Sequence, residues 1–181
     1  DGIRDYKVTG VQTCALPISA EELGGAGTHS TRSGVCDGAY DNDIETLMMV
    51  RRFFAYLPSN NREKPPRRPT TDNPDRIEAS LDTLVPDNPS KPYDIKEAIY
   101  KIVDEEEFWE LQPDFAQNIV IGMARMDGQP VGVVANQPLV QAGCLDINSS
   151  IKAGRFVRFC DAFNIPIVTF VDVPGRSEEH T

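Results

Sequence analysis

Few side chains in this sequence have the type and spacing to do chemistry on their own. Cys14, Cys36, Cys144 and Cys160 are scattered, with no CxxC pair. That argues against a zinc ribbon or a dithiol redox motif and reads as free thiols in a reducing compartment. A nucleophilic thiol needs an activating base beside it. None is visible near Cys144 or Cys160, so both read as packing residues. His29 and His180 show no paired ligand pattern for zinc. The acidic run Asp104 to Glu107 lacks the ligand spacing of a calcium loop and reads as a solvated turn. Two basic groups remain. Lys64, Arg67 and Arg68 lie in a proline-rich stretch, and Lys152, Arg155 and Arg158 recur on about one helical face. Each group is either a solvated surface or a contact for phosphate; the second is also a candidate contact for a neighbouring subunit.

Composition narrows the classes further. The chain has 181 residues and a net charge of −10. Such an acidic balance argues against nucleic acid and anionic membrane as partners. No apolar run approaches the length of a membrane span.

The ends read as foreign to the middle. RSEEHT at 176–181 and VTGVQTCALPIS at 8–19 both back-translate onto one short-read sequencing adapter. Residues 1–19 and 176–181 are therefore expected to be adapter-derived and non-native, and are set aside before fold reasoning. Native sequence then starts at Ser19 or Ala20 and ends at Gly175. Cys14 and His180 drop out with the ends.

The elements that must position any site follow from periodicity. Asn42 is placed to cap a helix over Asp43–Leu57, with Glu45 at capping-box spacing. Ile44, Leu47, Val50, Phe54 and Leu57 recur at helical spacing and should face a core. Pro58 to Asp75, rich in proline and polar residues, reads as a linker. Asp94 to Val103 reads as a short helix with Glu97 at capping-box spacing and a stripe of Ile95, Ile99 and Ile102. Phe108 to Leu111 reads as a short strand. Asn118 to Ala135 is the clearest hairpin, turning at Asp127-Gly128. A loop over Asn136–Asn148 leads to a helix over Ser149–Phe163, with Ile151, Phe156, Phe159, Cys160 and Phe163 inward. Asn164 and Pro166 end it. Ile165 to Val171 reads as a β-branched strand buried on both faces. The strands starting at Val131 and Ile165 should be parallel, joined by a helical crossover. From these patterns alone the fold class is α/β.

Longer stretches carry a resemblance. EELGGAGTH (21–29), NREKPPRRP (61–69), SLDTLVPDNPSKPYDIKEAI (80–99), ANQP (135–138) and, above all, AGCLDINSSIKAGRFVRFCDAFNIPIVTFVDVPG (142–175) strongly resemble the biotin-dependent acyl-CoA carboxylases. The likeness is to their carboxyltransferase (β) subunits, those of the propionyl-CoA group in particular. It implies partial crotonase-like ββα units. Residues 20–57 would end an N-terminal carboxyltransferase domain, 58–91 would be a linker, and 92–175 would start a C-terminal carboxyltransferase domain.

The resemblance also implies an activity: transfer of CO2 from carboxybiotin to the α-carbon of propionyl-CoA. Biotin would be carried by a partner α subunit, the biotin carboxylase/biotin carrier, which alone uses ATP. The β subunits would form a homo-oligomer, in the bacterial cytoplasm or the mitochondrial matrix. Family sites stabilise oxyanions with backbone N–H groups. The loop Gln141–Asp146 occupies the corresponding strand-to-helix position, making the Gly143 and Cys144 N–H groups candidate donors on the biotin side; a plain turn capping the helix through Asp146 or Asn148 is the alternative. Gly24, Gly25, Thr28 and His29 are candidates for the acyl-CoA/biotin cleft, or else a tight turn before a helix. Lys152, Arg155 and Arg158 are candidates for CoA phosphates. The family's main oxyanion loops are expected outside this chain, so the chain alone is expected to be inactive. Other readings are a related acyl-CoA carboxylase or decarboxylase subunit, or a noncatalytic crotonase-like interaction module.

Overall fold

The computed structural model describes residues 19–88 and 91–173. Of the ends assigned to adapter, all but Ser19 lie outside the described residues. Ser19 caps the first helix, α1 (Ala20–Gly24), by accepting from the Glu22 N–H, and Glu22 returns the bond to the Ser19 N–H. A second short helix, α2 (Ala26–Thr31), follows at once.

The centre of the fold is a four-stranded sheet in the order β1-β2-β3-β4. Strands β1 (Trp109–Leu111), β2 (Ile119–Met126) and β3 (Gln129–Asn136) are antiparallel neighbours. Strand β4 (Ile167–Phe170) runs parallel to β3, with Gly132 opposite Ile167. The hairpin is the expected one. Asp127 and Gly128 at its turn have φ of 49° and 71°, the two left-handed residues that a two-residue turn demands.

Alternation along β2 and β3 divides the core between the two faces of the sheet. Val120, Ala124, Val131, Val133 and Ala135 pack on α4 (Ile95–Ile102) through Ile95, Ala98 and Ile99. Ile119, Ile121, Met123 and Val134 pack on α5 (Ile147–Ala162) through Phe156 and Cys160. Each such fully buried aliphatic side chain stabilises by about 1.5–3 kcal/mol. Burial pushes the Cys160 thiol up to about 12, in keeping with a packing role.

Several expectations need correction. Helix α3 (Asp43–Phe54) is capped by Asn42 as expected, but Glu45 bonds the Asp41 N–H rather than that of Asn42. Its stripe does not face a core, because Ile44, Leu47, Val50 and Phe54 are exposed. The helix is anchored near its C-terminal end, where Phe53, Tyr56 and Leu57 pack toward Trp109 and Phe159. On α4, Ala98 is buried and Ile102 is not; the Asp94 cap reaches the Lys96 N–H. Strand β4 is an edge strand, only half-buried, with Thr169 exposed. Helix α5 starts two residues early, and Ile151 is exposed.

The acidic run is only partly a solvated turn: Glu105 and Glu106 are exposed, Asp104 and Glu107 are not. Asp104 is buried and accepts from the Asp127 and Gly128 N–H groups at 3.0 and 2.7 Å. Glu107 pairs with Arg52 and Arg68. The proline-rich stretch is likewise docked. Arg67 binds the Asp127 carboxylate at 2.6 Å, and the Arg68 N–H donates to the Gly128 carbonyl. Of the cluster Lys64, Arg67 and Arg68, the two arginine side chains are thus engaged within the chain.

Candidate functional site

The loop between β3 and α5 is held from every side. Asn136, the last residue of β3, donates from Nδ2 to the Gly143 carbonyl at 2.9 Å. Asn118, just before β2, donates to the Cys144 carbonyl at 2.8 Å. Gln137 is buried; its amide accepts from the Ile95 N–H, donates to Asp94, and so ties the start of α4 to the same corner. Asp146 then caps α5 in a reciprocal box with Ser149. The Ser149 N–H, followed by its hydroxyl, holds the Asp146 carboxyl below the usual carboxylate range.

Within the loop Gln141, Ala142 and Gly143 form a single left-handed turn, with φ of 50°, 51° and 75°. A Cβ on Gly143 would stand 2.7 Å from the Asp172 carbonyl, so only glycine lets the loop lie against the end of β4. The two N–H groups singled out from sequence close this turn. Gly143 donates to the Val140 carbonyl and Cys144 to the Gln141 carbonyl, both at 3.0 Å. Among the described residues, the N–H groups of Gln141 and Ala142 have no protein acceptor. The open donors therefore sit upstream of the pair named from the motif, because the left-handed turn uses up its later N–H groups.

Ala142 lines a cleft of about 580 Å³ with Lys91, Tyr93, Leu139 and Asp172. It lies past the C-terminal ends of the parallel strands β3 and β4, the usual place for a ligand in such a sheet. Its size is that of a small-molecule site. Tyr93 Oη donates to Asp172 Oδ2 at 2.7 Å across it. Burial, then that bond, pushes the Tyr93 phenol up to about 12.

The second set of candidates is organised locally. Thr28 Oγ1 donates to the Glu21 carbonyl, and His29 Nδ1 lies 3.0 Å from Ser33 Oγ. Gly24 and Gly25 form the junction of α1 with α2. Among the described residues no hydrogen bond or ion pair joins Gly24–His29 to Gln141–Asp146. The basic trio is split as well. Arg158 is exposed, Arg155 donates to the Gly34 carbonyl at 2.9 Å, and Lys152 is buried. Lys152 is thus removed from the candidates for phosphate: no ligand outside the core reaches its ammonium. Sequence reading also missed Asn118, Gln137, Tyr93 and Asp172, whose partners lie far along the chain.

The carboxyl transferase domain family matches residues 6–178. The chain belongs to that family. It is 65% identical over 158 residues to the propionyl-CoA carboxylase beta chain of Roseobacter denitrificans, covering 87% of this chain and 31% of that one. It is 53% identical, over the same shares, to the methylmalonyl-CoA decarboxylase subunit alpha of Veillonella parvula. Among solved structures, the hexameric transcarboxylase 12S, with methylmalonyl-coenzyme A and methylmalonic acid bound, superposes with a TM-score of 0.86 at 40% identity over 90% of this chain and 31% of that chain. The fold is accordingly the mixed α/β, crotonase-like one of the carboxyltransferases. The chain spans about a third of the length of the curated relatives it matches.

Ala142, whose N–H has no protein acceptor among the described residues, lines a cleft of the right size for a small molecule; two carboxylates, Asp87 and Asp172, line it as well, and Asp172 is engaged by Tyr93.

Proposed function

We propose that this chain is a segment of a carboxyltransferase subunit that moves CO2 from carboxybiotin to the α-carbon of an acyl-CoA, propionyl-CoA in the first instance. Residues 20–57 and 92–175 would belong to its N- and C-terminal carboxyltransferase domains, joined by 58–91. The observation that carries the reading is the glycine-dependent turn at the β3–α5 loop, with the unbonded Ala142 N–H beside the cleft, in a chain of this family. Biotin, brought by a partner α subunit, would supply the carboxyl group and the base. The chain's own part is to bind and orient: the Ala142 and Gln141 N–H groups face a carbonyl oxygen that gains negative charge, a donor arrangement worth roughly 3–4 kcal/mol per bond where measured elsewhere. Gly143 and Cys144 hold that turn in shape. Gly24, Gly25, Thr28 and His29 would border the acyl-CoA side in the intact subunit. The hexameric 12S core supports assembly as a homo-oligomer. Among the described residues three free thiols, one buried and one exposed, fit a reducing compartment such as the bacterial cytoplasm. Among the described residues no helix is long and apolar enough to cross a membrane.

The test is to assemble the full-length parent subunit with its biotin-carrying partner and follow labelled bicarbonate into propionyl-CoA. ATP-dependent carboxylation is the expected result. Decarboxylation of methylmalonyl-CoA without ATP-dependent carboxylation would favour the decarboxylase reading, which the Veillonella relative supports. Neither activity would leave a noncatalytic module. The 181-residue chain alone is expected to show no turnover.

A further inference from the structure

Lys152 sits on α5 with only 1% of its surface exposed, and no carboxylate lies within ion-pair distance of it among the described residues. Its ammonium is instead surrounded by backbone carbonyls. Nζ donates to Phe115 at 2.6 Å, to Gln112 and Ile119 at 2.9 Å, and more weakly to Ala116 at 3.4 Å. An ammonium has three N–H bonds to give, and three short acceptors use them all. Carbonyl dipoles pointing at one spot repel one another unless N–H donors stand between them. The segment carrying them bends sharply, with left-handed Gln112 (φ 53°) and Ala116 (φ 44°). Lys152 is what allows this segment to close.

The far end of the same segment is Asn118. Its side chain donates to the Cys144 carbonyl at 2.8 Å and reaches Asp146 Oδ1 at 3.5 Å, while its carbonyl accepts from the Gln137 N–H at 3.0 Å. Asp146 caps α5, the helix that bears Lys152. The contacts form a closed ring from α5 through Lys152, the 112–119 segment and Asn118, to the β3–α5 loop, and back to α5.

We propose that Lys152 is a positioning residue for the cleft: by gathering the carbonyls of residues 112–119 it sets Asn118, and through Asn118 the placement of the Gln141–Asp146 loop. The inference rests on the reading of that loop as part of the active site. Lys152 touches no ligand itself. Its role differs from that of an ordinary core residue because its loss moves one loop rather than the whole domain.

The experiment uses the full-length parent subunit assembled with its biotin-carrying partner, as wild type, Lys152→Met and Asn118→Ala. Met keeps the length of the stem and removes every donor; Ala at 118 cuts the ring while leaving the lysine in place. Two quantities are read, amide hydrogen exchange by segment and steady-state kinetics with propionyl-CoA. Exchange over residues 141–149 should rise about tenfold or more in both variants while the β2–β3 hairpin stays protected. The kcat should fall about tenfold while KM for the acyl-CoA changes less than about twofold, the pattern of a lost transition-state contact. Unchanged exchange over 141–149 in a folded variant overturns the proposal. Faster exchange with unaltered kcat keeps the positioning role and sinks the assignment of the loop to the active site. If Lys152→Met does not fold, Asn118→Ala decides alone on the same two readouts.

Discussion

Arg125 donates from Nη2 to the Ala55 carbonyl at 2.6 Å, joining the end of α3 to the β2–β3 hairpin. The same guanidinium donates to the carbonyls of Pro66 and Gly128 and lies 4.6 Å from the centre of the Tyr56 ring. One buried cation thus connects residues on both sides of the proline-rich stretch. Arg125→Met should leave these acceptors unpaired and cost roughly 2–4 kcal/mol, because each lost charged hydrogen bond is worth about 1.5–3 kcal/mol before relaxation. Urea denaturation of the parent subunit measures it. A loss below about 0.5 kcal/mol, the range of ordinary surface changes, would mean that Arg125 is a bystander.

Gly128 carries a left-handed turn, φ 71°, and a Cβ there would collide with the Arg68 carbonyl. Gly128→Ala should therefore do two things: destabilise by about 1–2 kcal/mol and release the strap at Arg67–Arg68. Limited proteolysis should then cut near residues 62–68 faster than in wild type. An unchanged cleavage rate would show that the strap is held elsewhere.

Tyr93 and Asp172 give a pH signature. The phenol is pushed up to about 12, by burial first and by its bond to Asp172 second. A folded-state value above the unfolded one means that the contact stabilises fully below about pH 10 and is lost as pH rises through about 12. NMR of ring-labelled tyrosine should show Tyr93, with the buried Tyr56, still protonated when the exposed phenols have ionised. Asp172→Asn should lower the Tyr93 midpoint. A Tyr93 midpoint at the ordinary value would mean that the cleft is open at this side in solution.

Lys152 gives the opposite sign. Burial pushes its ammonium down from 10.5 to about 8. The unfolded chain then binds more protons between those values, so the stability it confers is fully present above about pH 10.5 and lost as pH falls through about 8. The stability of wild type minus that of Lys152→Met should climb by up to about 3 kcal/mol across that window. A flat difference would show that the carbonyl cage keeps the lysine at its ordinary value.

Local pattern was enough for much of this protein. Asn42 and Asp94 each cap the helix they precede, Asp127-Gly128 turns the hairpin, and Asn164 ends α5, because each depends on bonds or dihedrals within a few residues. The parallel relation of β3 to β4 followed from a helix between two apolar runs. The run of matching residues from Ala142 onward led to the family.

Other features were decided only by the tertiary structure. The faces of α3 and β4 are exposed because sequence periodicity shows which side of an element is apolar, not whether anything lies against it. Asp104 and Lys152 read as surface charges because their partners are backbone groups 23 to 40 residues distant, and backbone acceptors leave no mark in a sequence. The N–H groups of Gly143 and Cys144, named from the motif, both donate within the turn itself. The motif locates the glycine, but only the left-handed path of the chain determines which donors it spends on itself and which it leaves unbonded.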